Sequence, residues 1–110
     1  MNNTTKASCL LSEHNRIPND ALALICEGNS MEPGLYDGDI VVIEPTQNVE
    51  DGEIAAVSVG GDTKAALRRI KHIGDSICLM PDNRDYDPIV LDAQHPGRIF
   101  GKAIRITRYV

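Results

Sequence analysis

This chain is poor in the residues and patterns that would mark several common function classes. Its cysteines, Cys9, Cys26 and Cys78, are odd in number and lie far apart with no CxxC spacing. A disulfide framework is therefore not expected, and reduced thiols in or near the core are. His14, His72 and His95 form no HxxxH or HxxE pair, so neither a zinc site nor any other metal is expected. No apolar run approaches the roughly 20 residues that cross a bilayer, and the start lacks a basic-then-apolar signal pattern. A cytoplasmic protein without a membrane partner is the expectation. Positive charge is also short: the net charge is −5, which argues against direct DNA contact by this chain. The one basic stretch, Arg68, Arg69, Lys71 and His72, has no interleaved aromatics. It reads as a solvated strand edge rather than a phosphate site. No cofactor-binding pattern is present.

At 110 residues the chain suffices for one core and not for two. Residues 1–20 are polar and irregular and read as a flexible tail or linker remnant, leaving 21–110 as the folded domain. Ala21 to Cys26 is too short for periodicity to separate helix from strand; its place before a Gly-Asn-Ser turn favours strand. Ile40 to Ile43 is β-branched throughout and is entered by Asp37-Gly38-Asp39, a strand after a turn. Further strands are expected at Ile54 to Val59, Ala65 to His72, Ile77 to Met80, Ile89 to Leu91 and Ile99 to Val110, the last bent at Gly101. Gly60-Gly61-Asp62 is a hairpin signal, and Pro81 to Pro88 a polar loop. Short strands with Gly/Asp turns every 8–12 residues indicate an all-β barrel or strongly curved sheet.

Ser30 stands out within Gly28-Asn29-Ser30-Met31-Glu32-Pro33. A serine between small and apolar residues, just before a Pro/Gly-punctuated turn and a Val/Ile strand, has the setting of a nucleophile. One helical turn over Ser30 to Leu35 would aim backbone N–H groups at an incoming oxyanion. The plainer reading is a turn serine that caps a short helix. Asp37 and Asp39 read as turn formers rather than catalytic acids. The acidic run Asp82, Asp85, Asp87 lacks the glycine and distal glutamate of a calcium loop and reads as solvated.

The run Gly28-x-Ser30-Met31-Glu32-Pro33, with Asp37-Gly38-Asp39 before an apolar strand, resembles the LexA-like (S24) peptidase domain. That domain is shared by SOS repressors, UmuD-type proteins and the C-terminal halves of phage repressors. The resemblance continues through Val49 to Ile54, Leu67-Arg68-Arg69-Ile70, the Pro81-Asp82-Asn83 to Pro88-Ile89 segment and the closing Ile99 to Ile104. It implies a pseudo-barrel of curved antiparallel sheets, as in LexA and signal peptidases, and a homodimer formed through C-terminal strands. It also implies Ser30 as the nucleophile position and the backbone N–H groups of Asn29 and Ser30 as the oxyanion hole. By the same resemblance the general-base lysine falls at position 68, where this chain has Arg68. A base lysine must be neutral at working pH, which burial can achieve. Arginine stays protonated under the same conditions.

Two further departures bear on function. No Ala-Gly or Cys-Gly bond of the kind the family cuts precedes Ser30, and the residues ahead of the domain are too few for a helix-turn-helix. Lys64 lies on the Arg68 side of the strand but roughly 13 Å along it, and Lys71 points to the opposite face unless a bulge intervenes. The resulting expectation is the regulatory and dimerisation domain of a phage- or SOS-type repressor, impaired in autoproteolysis. It would reach DNA only through a helix-turn-helix outside this sequence, and could dock a regulatory protein. The alternative is an active Ser-Lys peptidase that cleaves itself in the UmuD manner.

Overall fold

A computed structural model of the chain describes residues 19–60 and 65–109, together with the backbone of Thr4–Lys6. All its regular structure is β, with no helix among the described residues. The strands are β1 (Thr4–Lys6), β2 (Leu22–Ile25), β3 (Ile40–Pro45), β4 (Ile54–Val59), β5 (Ala66–Ile73), β6 (Ser76–Met80), β7 (Ile89–Leu91) and β8 (Gly97–Thr107). They form one eight-stranded sheet in the order β1-β2-β3-β8-β4-β5-β6-β7. Each printed pairing is antiparallel, and the sheet curls into a half-barrel of the LexA-like S24 type. Thr4–Lys6, inside the segment read as a tail, adds a strand to β2. The Gly61-Asp62 part of the expected hairpin, and Lys64, lie outside the described residues.

β8 makes the curl possible. It runs between β3 and β4, and its register slips by one residue against each, at Val42/Ile43 and at Ala56/Val57. Such bulges bend a strand and raise its twist. Gly101 sits at the bend, where a Cβ would strike Ile43 Cγ2, so glycine is what lets β3 approach. The strand thus spans most of the expected Ile99 to Val110 and is bent at Gly101.

Curling closes two large apolar cores, beside a small cluster of Ala21, Ala23 and Val42. One gathers Leu24, Cys26, Met31, Leu35, Val41, Ile43, Ile54, Ala56 and Leu67; the other gathers Val49, Ala55, Val57, Ile70, Leu79, Leu91 and Ile99. Ile54/Ala56 and Ala55/Val57 alternate between them, as period-two side chains on β4 must. Each large side chain buried this way contributes about 2 kcal/mol. β5 sends Leu67 into the first core and Ile70 into the second. The basic stretch on it is therefore not a sheet edge as expected: β5 lies between β4 and β6. Only Lys71 and His72 are exposed, while Arg68 and Arg69 are half-buried.

Candidate functional site

The segment from Glu27 to Asp39 leaves β2, loops out and returns as β3. Its two ends are tied together: Gly38 N–H donates to Cys26 O and Cys26 N–H to Asp39 O, both at 2.8 Å. Gly28 opens the loop with φ +80°, a backbone conformation that side-chain-bearing residues avoid. Its N–H donates to Asp37 Oδ1 at 2.7 Å. Met31 and Leu35, at most 1% exposed, pin the middle of the loop into the first core. Between these anchors sits Ser30, half-buried.

The expected helical turn is absent. Glu32 N–H donates to Asn29 O at 3.2 Å and Leu35 N–H to Met31 O at 2.8 Å, which makes two successive turns closed by one helix-like bond. A cis Glu32–Pro33 peptide lies between them. No helix terminus therefore contributes a dipole at Ser30. The N–H groups of Ser30 and Met31 have no acceptor among the described residues, and Ser30 Oγ has no hydrogen-bond partner there.

The polar loop after β6 clamps this turn from outside. Asn83 N–H donates to Ser30 O at 3.0 Å, Asn83 Nδ2 to Asn29 O at 2.9 Å and Tyr86 OH to Asn29 Oδ1 at 2.6 Å. Asn29 and Ser30 are thus held through their backbone carbonyls and one side chain. Asp82, expected as a solvated loop residue, is instead largely covered and paired. Arg69 Nε and Nη2 donate to its two oxygens at 2.9 and 3.1 Å, and Arg69 Nη1 to Gly52 O at 2.8 Å. This ion pair closes over Gly34, where a Cβ would fall onto Asp82 Oδ2.

Arg68 is placed differently. Its Nη1 donates to Leu67 O at 2.7 Å, but its Nε is buried with no partner. Burial pulls its pKa below the ordinary arginine value, opposed by Cys26 and Tyr86. Arg68 is therefore within electrostatic reach of the two groups that flank Asn29 and Ser30, the Cys26 thiol and the Tyr86 phenol. Both groups are ordinarily uncharged near neutral pH, so no carboxylate balances this guanidinium. The Cys26 thiol is pushed up by burial first and by the Asp39 and Asp37 charges next, with Arg68 pulling the other way. The described lysines lie elsewhere: Lys71 is exposed on β5, and Lys102 pairs with Glu53 at 3.8 Å. β5 pairs with β4 and β6 without a register shift, so no bulge turns Lys71 inward.

Asp39 carries more than a turn. It is 2% exposed, and both its oxygens accept from Arg108, Oδ1 from Nε at 2.8 Å and Oδ2 from Nη2 at 2.6 Å. Oδ2 also accepts the Tyr36 N–H at 2.8 Å, and the Arg108 guanidinium lies over the Tyr36 ring at 4.8 Å. The residue after β8 is thereby locked to the loop that carries Ser30. Sequence reading missed this partnership, and that of Asp82 with Arg69. Ion pairs 69 and 13 residues apart leave no local signal. No group of three or more His, Cys, Asp or Glu side chains is placed to hold a metal among the described residues. No helix among them is long and apolar enough to cross a membrane.

Comparison with known proteins fits this geometry. The Peptidase S24-like family pattern matches residues 2–104. A LexA repressor from Thermosipho melanesiensis is 39% identical over 88 residues, covering 79% of this chain and 43% of the relative. One from Clostridium acetobutylicum is 40% identical over 78 residues, or 70% of this chain and 37% of the relative. A third, from Shouchella clausii, is 34% identical over 101 residues, or 91% and 47%. The chain spans less than half the length of these curated relatives. With a curled all-β sheet, a serine-bearing turn clamped beside β5, and a family pattern running through nearly its whole length, the chain belongs to the Peptidase S24-like family as a LexA-like domain.

Proposed function

We propose that this chain is the regulatory and dimerisation domain of a phage- or SOS-type repressor, working in the cytoplasm with its self-cleaving chemistry disabled. The observation that carries the reading is Arg68. It stands where the family resemblance expects the general base, half-buried, near Cys26 and Tyr86 at the Ser30 turn. Serine attack requires a group that takes the Oγ proton. A guanidinium holds its proton throughout the working range of proteins, and no described lysine is bonded to Ser30. Ser30 is the nucleophile position and the N–H groups of Asn29 and Ser30 the oxyanion donors, so attack stalls at the proton transfer. What the fold then supplies is assembly: a homodimer through its C-terminal strands, with DNA reached through a separate domain and a regulatory protein as a further partner.

Fluorophosphonate labelling with peptide mapping tests the chemistry, on the wild type beside Arg68→Lys. No label on wild-type Ser30, with label gained in Arg68→Lys, is the expected result. Labelling of the wild type would replace this reading with the active Ser-Lys-type peptidase, its base lying elsewhere. Sedimentation velocity at high micromolar concentration tests the assembly, where a strictly monomeric chain would remove the dimerisation role.

A further inference from the structure

The turn that carries Ser30 has no helix to orient it, and its own loop holds only its ends. On one side Gly28 N–H donates to Asp37 Oδ1 at 2.7 Å; on the other Met31, 1% exposed, is sunk in the first core. Between these ends, Asn29 and Ser30 are gripped from far along the chain. Asn83 N–H donates to Ser30 O at 3.0 Å, Asn83 Nδ2 to Asn29 O at 2.9 Å and Tyr86 OH to Asn29 Oδ1 at 2.6 Å. The gripping loop is shaped before it reaches the turn: Asn83 accepts the Asp85 N–H on Oδ1 at 2.9 Å and the Tyr86 N–H on its carbonyl at 3.2 Å. Its base is fastened separately, by Arg69 on both oxygens of Asp82 and on Gly52 O. The loop is therefore a strap, anchored to β5 and the turn before β4, with its far end on the Ser30 turn.

Which atoms the strap holds decides what it does. A trans peptide is planar, with its C=O and N–H directed opposite ways, and Glu32–Pro33 is the one cis bond among the described residues. Holding Asn29 O therefore sets the direction of the Ser30 N–H, and holding Ser30 O sets that of the Met31 N–H. Both donors are turned away from the strap, and neither has an acceptor among the described residues. Ser30 is the residue between the two held planes. Its φ and ψ are set by them, and with these angles the direction in which its Cβ leaves the chain. Donors stabilise a developing charge well when they are aimed before it appears. We propose that Asn83 and Tyr86 are positioning residues of the Ser30 site: through the two carbonyls and the Asn29 side chain they aim Ser30 and the free N–H groups of Ser30 and Met31. The inference rests on the reading of this turn as the site, and it assigns the aim of that site to the loop between β6 and β7.

Two substitutions test the strap. Asn83→Asp separates grip from shape, because its oxygens still accept the Asp85 N–H but offer no donor to Asn29 O. Tyr86→Phe removes only the hydroxyl, and serves alone should Asn83→Asp not fold. The first readout is amide hydrogen exchange on the whole chain. The Glu32 and Leu35 amides close the turn on Asn29 O and Met31 O. They should exchange about fivefold faster or more in each variant, the size of one hydrogen bond, while the amides of β3 and β4 keep their protection. The second readout is the rate of fluorophosphonate labelling at Ser30, in whichever of the wild type and Arg68→Lys takes the label. Adding either substitution should slow it by about fivefold or more. Unchanged exchange at Glu32 and Leu35 overturns the proposal. Equal acceleration of turn and strand amides overturns it too, since that marks a general loss of stability. An unchanged labelling rate also overturns it, leaving the strap a fastening without influence on Ser30. If neither protein takes the label, the reading of Ser30 as a nucleophile position is what fails, and the exchange pattern alone then supports or overturns the strap.

Discussion

Arg68 and Arg69 are the same residue one position apart on the same strand, yet the fold treats their surroundings in opposite ways. Around Arg69 every useful donor has an acceptor: Asp82 takes two and Gly52 O a third. That region is a fastening, which joins β5, the turn before β4 and the loop after β6 over Gly34. Around Arg68 the charge is met by a thiol and a phenol, Cys26 and Tyr86, rather than by a carboxylate, and a buried donor goes unmatched. Satisfied polar networks rigidify a structure, and an unsatisfied one inside it weakens it. The difference teaches where this domain spends stability on something other than stability. The filled fork fastens the fold, whereas Arg68 carries an unmatched buried donor.

The strongest way to break this contrast is at Gly34. Its φ is not in the left-handed region, so replacing it adds bulk without backbone strain. The new Cβ of Gly34→Ala would fall onto Asp82 Oδ2 and within 3.2 Å of Arg69 Nη2. We expect a loss of about 3 kcal/mol in urea denaturation, typical of overpacking with little room to relax. Asp82→Ala in the Gly34→Ala background should restore part of it. A neutral Gly34→Ala would mean that the fastening yields freely and is no fastening.

Next in size is the arginine pair itself. Arg69→Met removes three hydrogen bonds, but its side chain is 39% exposed and solvent screens the ion pair. A cost of about 1–2 kcal/mol follows. Arg68→Met keeps the apolar stem and removes the unmatched charge, so the melting temperature should rise, by the equivalent of about 1 kcal/mol. Opposite signs confirm the comparison. Destabilisation by both variants would mean that Arg68 has a compensation within the fold.

How far the sequence reached follows from the range of each signal. β3, β4, β6 and β7 were legible because Ile40 to Ile43, Ile54 to Val59, Ile77 to Met80 and Ile89 to Leu91 are β-branched or apolar runs bounded by turn residues. Ala21 to Cys26 was assigned to strand only from its place before the Ser30 turn, and Leu22–Ile25 is indeed a strand. The helical turn expected over Ser30 to Leu35 is replaced by two turns closed by a single helix-like bond, Leu35 N–H to Met31 O. Asp39 and Asp82 were read from their neighbours, as turn and loop formers. Their partners Arg108 and Arg69 come close only when the sheet curls, which no local pattern encodes. Ser30 stands out by its turn setting and Arg68 by the family resemblance, whereas the unmatched Nε of Arg68 shows only in three dimensions.

The smallest expected effect sharpens the comparison by adding the third arginine. Hydrogen bonding by Arg108 comes first among the causes that hold the Asp39 carboxyl below its usual pKa, with the Tyr36 N–H helping and burial opposing. A carboxyl whose folded pKa is lowered stabilises the fold fully above its unfolded pKa, about 4. That contribution is lost as pH falls through the lower folded value. Melting curves taken between about pH 7 and pH 2 should therefore show a lower Tm for Asp39→Asn than for the wild type at neutral pH, with the two converging in acid. Arg108 lies half in solvent, 47% exposed, so the gap should be modest. Salt should narrow it only slightly, because the Asp39 end of the pair is covered. Parallel curves would mean that the Asp39–Arg108 bond forms equally well without the charge. The end of β8 would then be held to the Ser30 loop by geometry alone, and the contrast between matched and unmatched forks would shrink to Arg68 and Arg69.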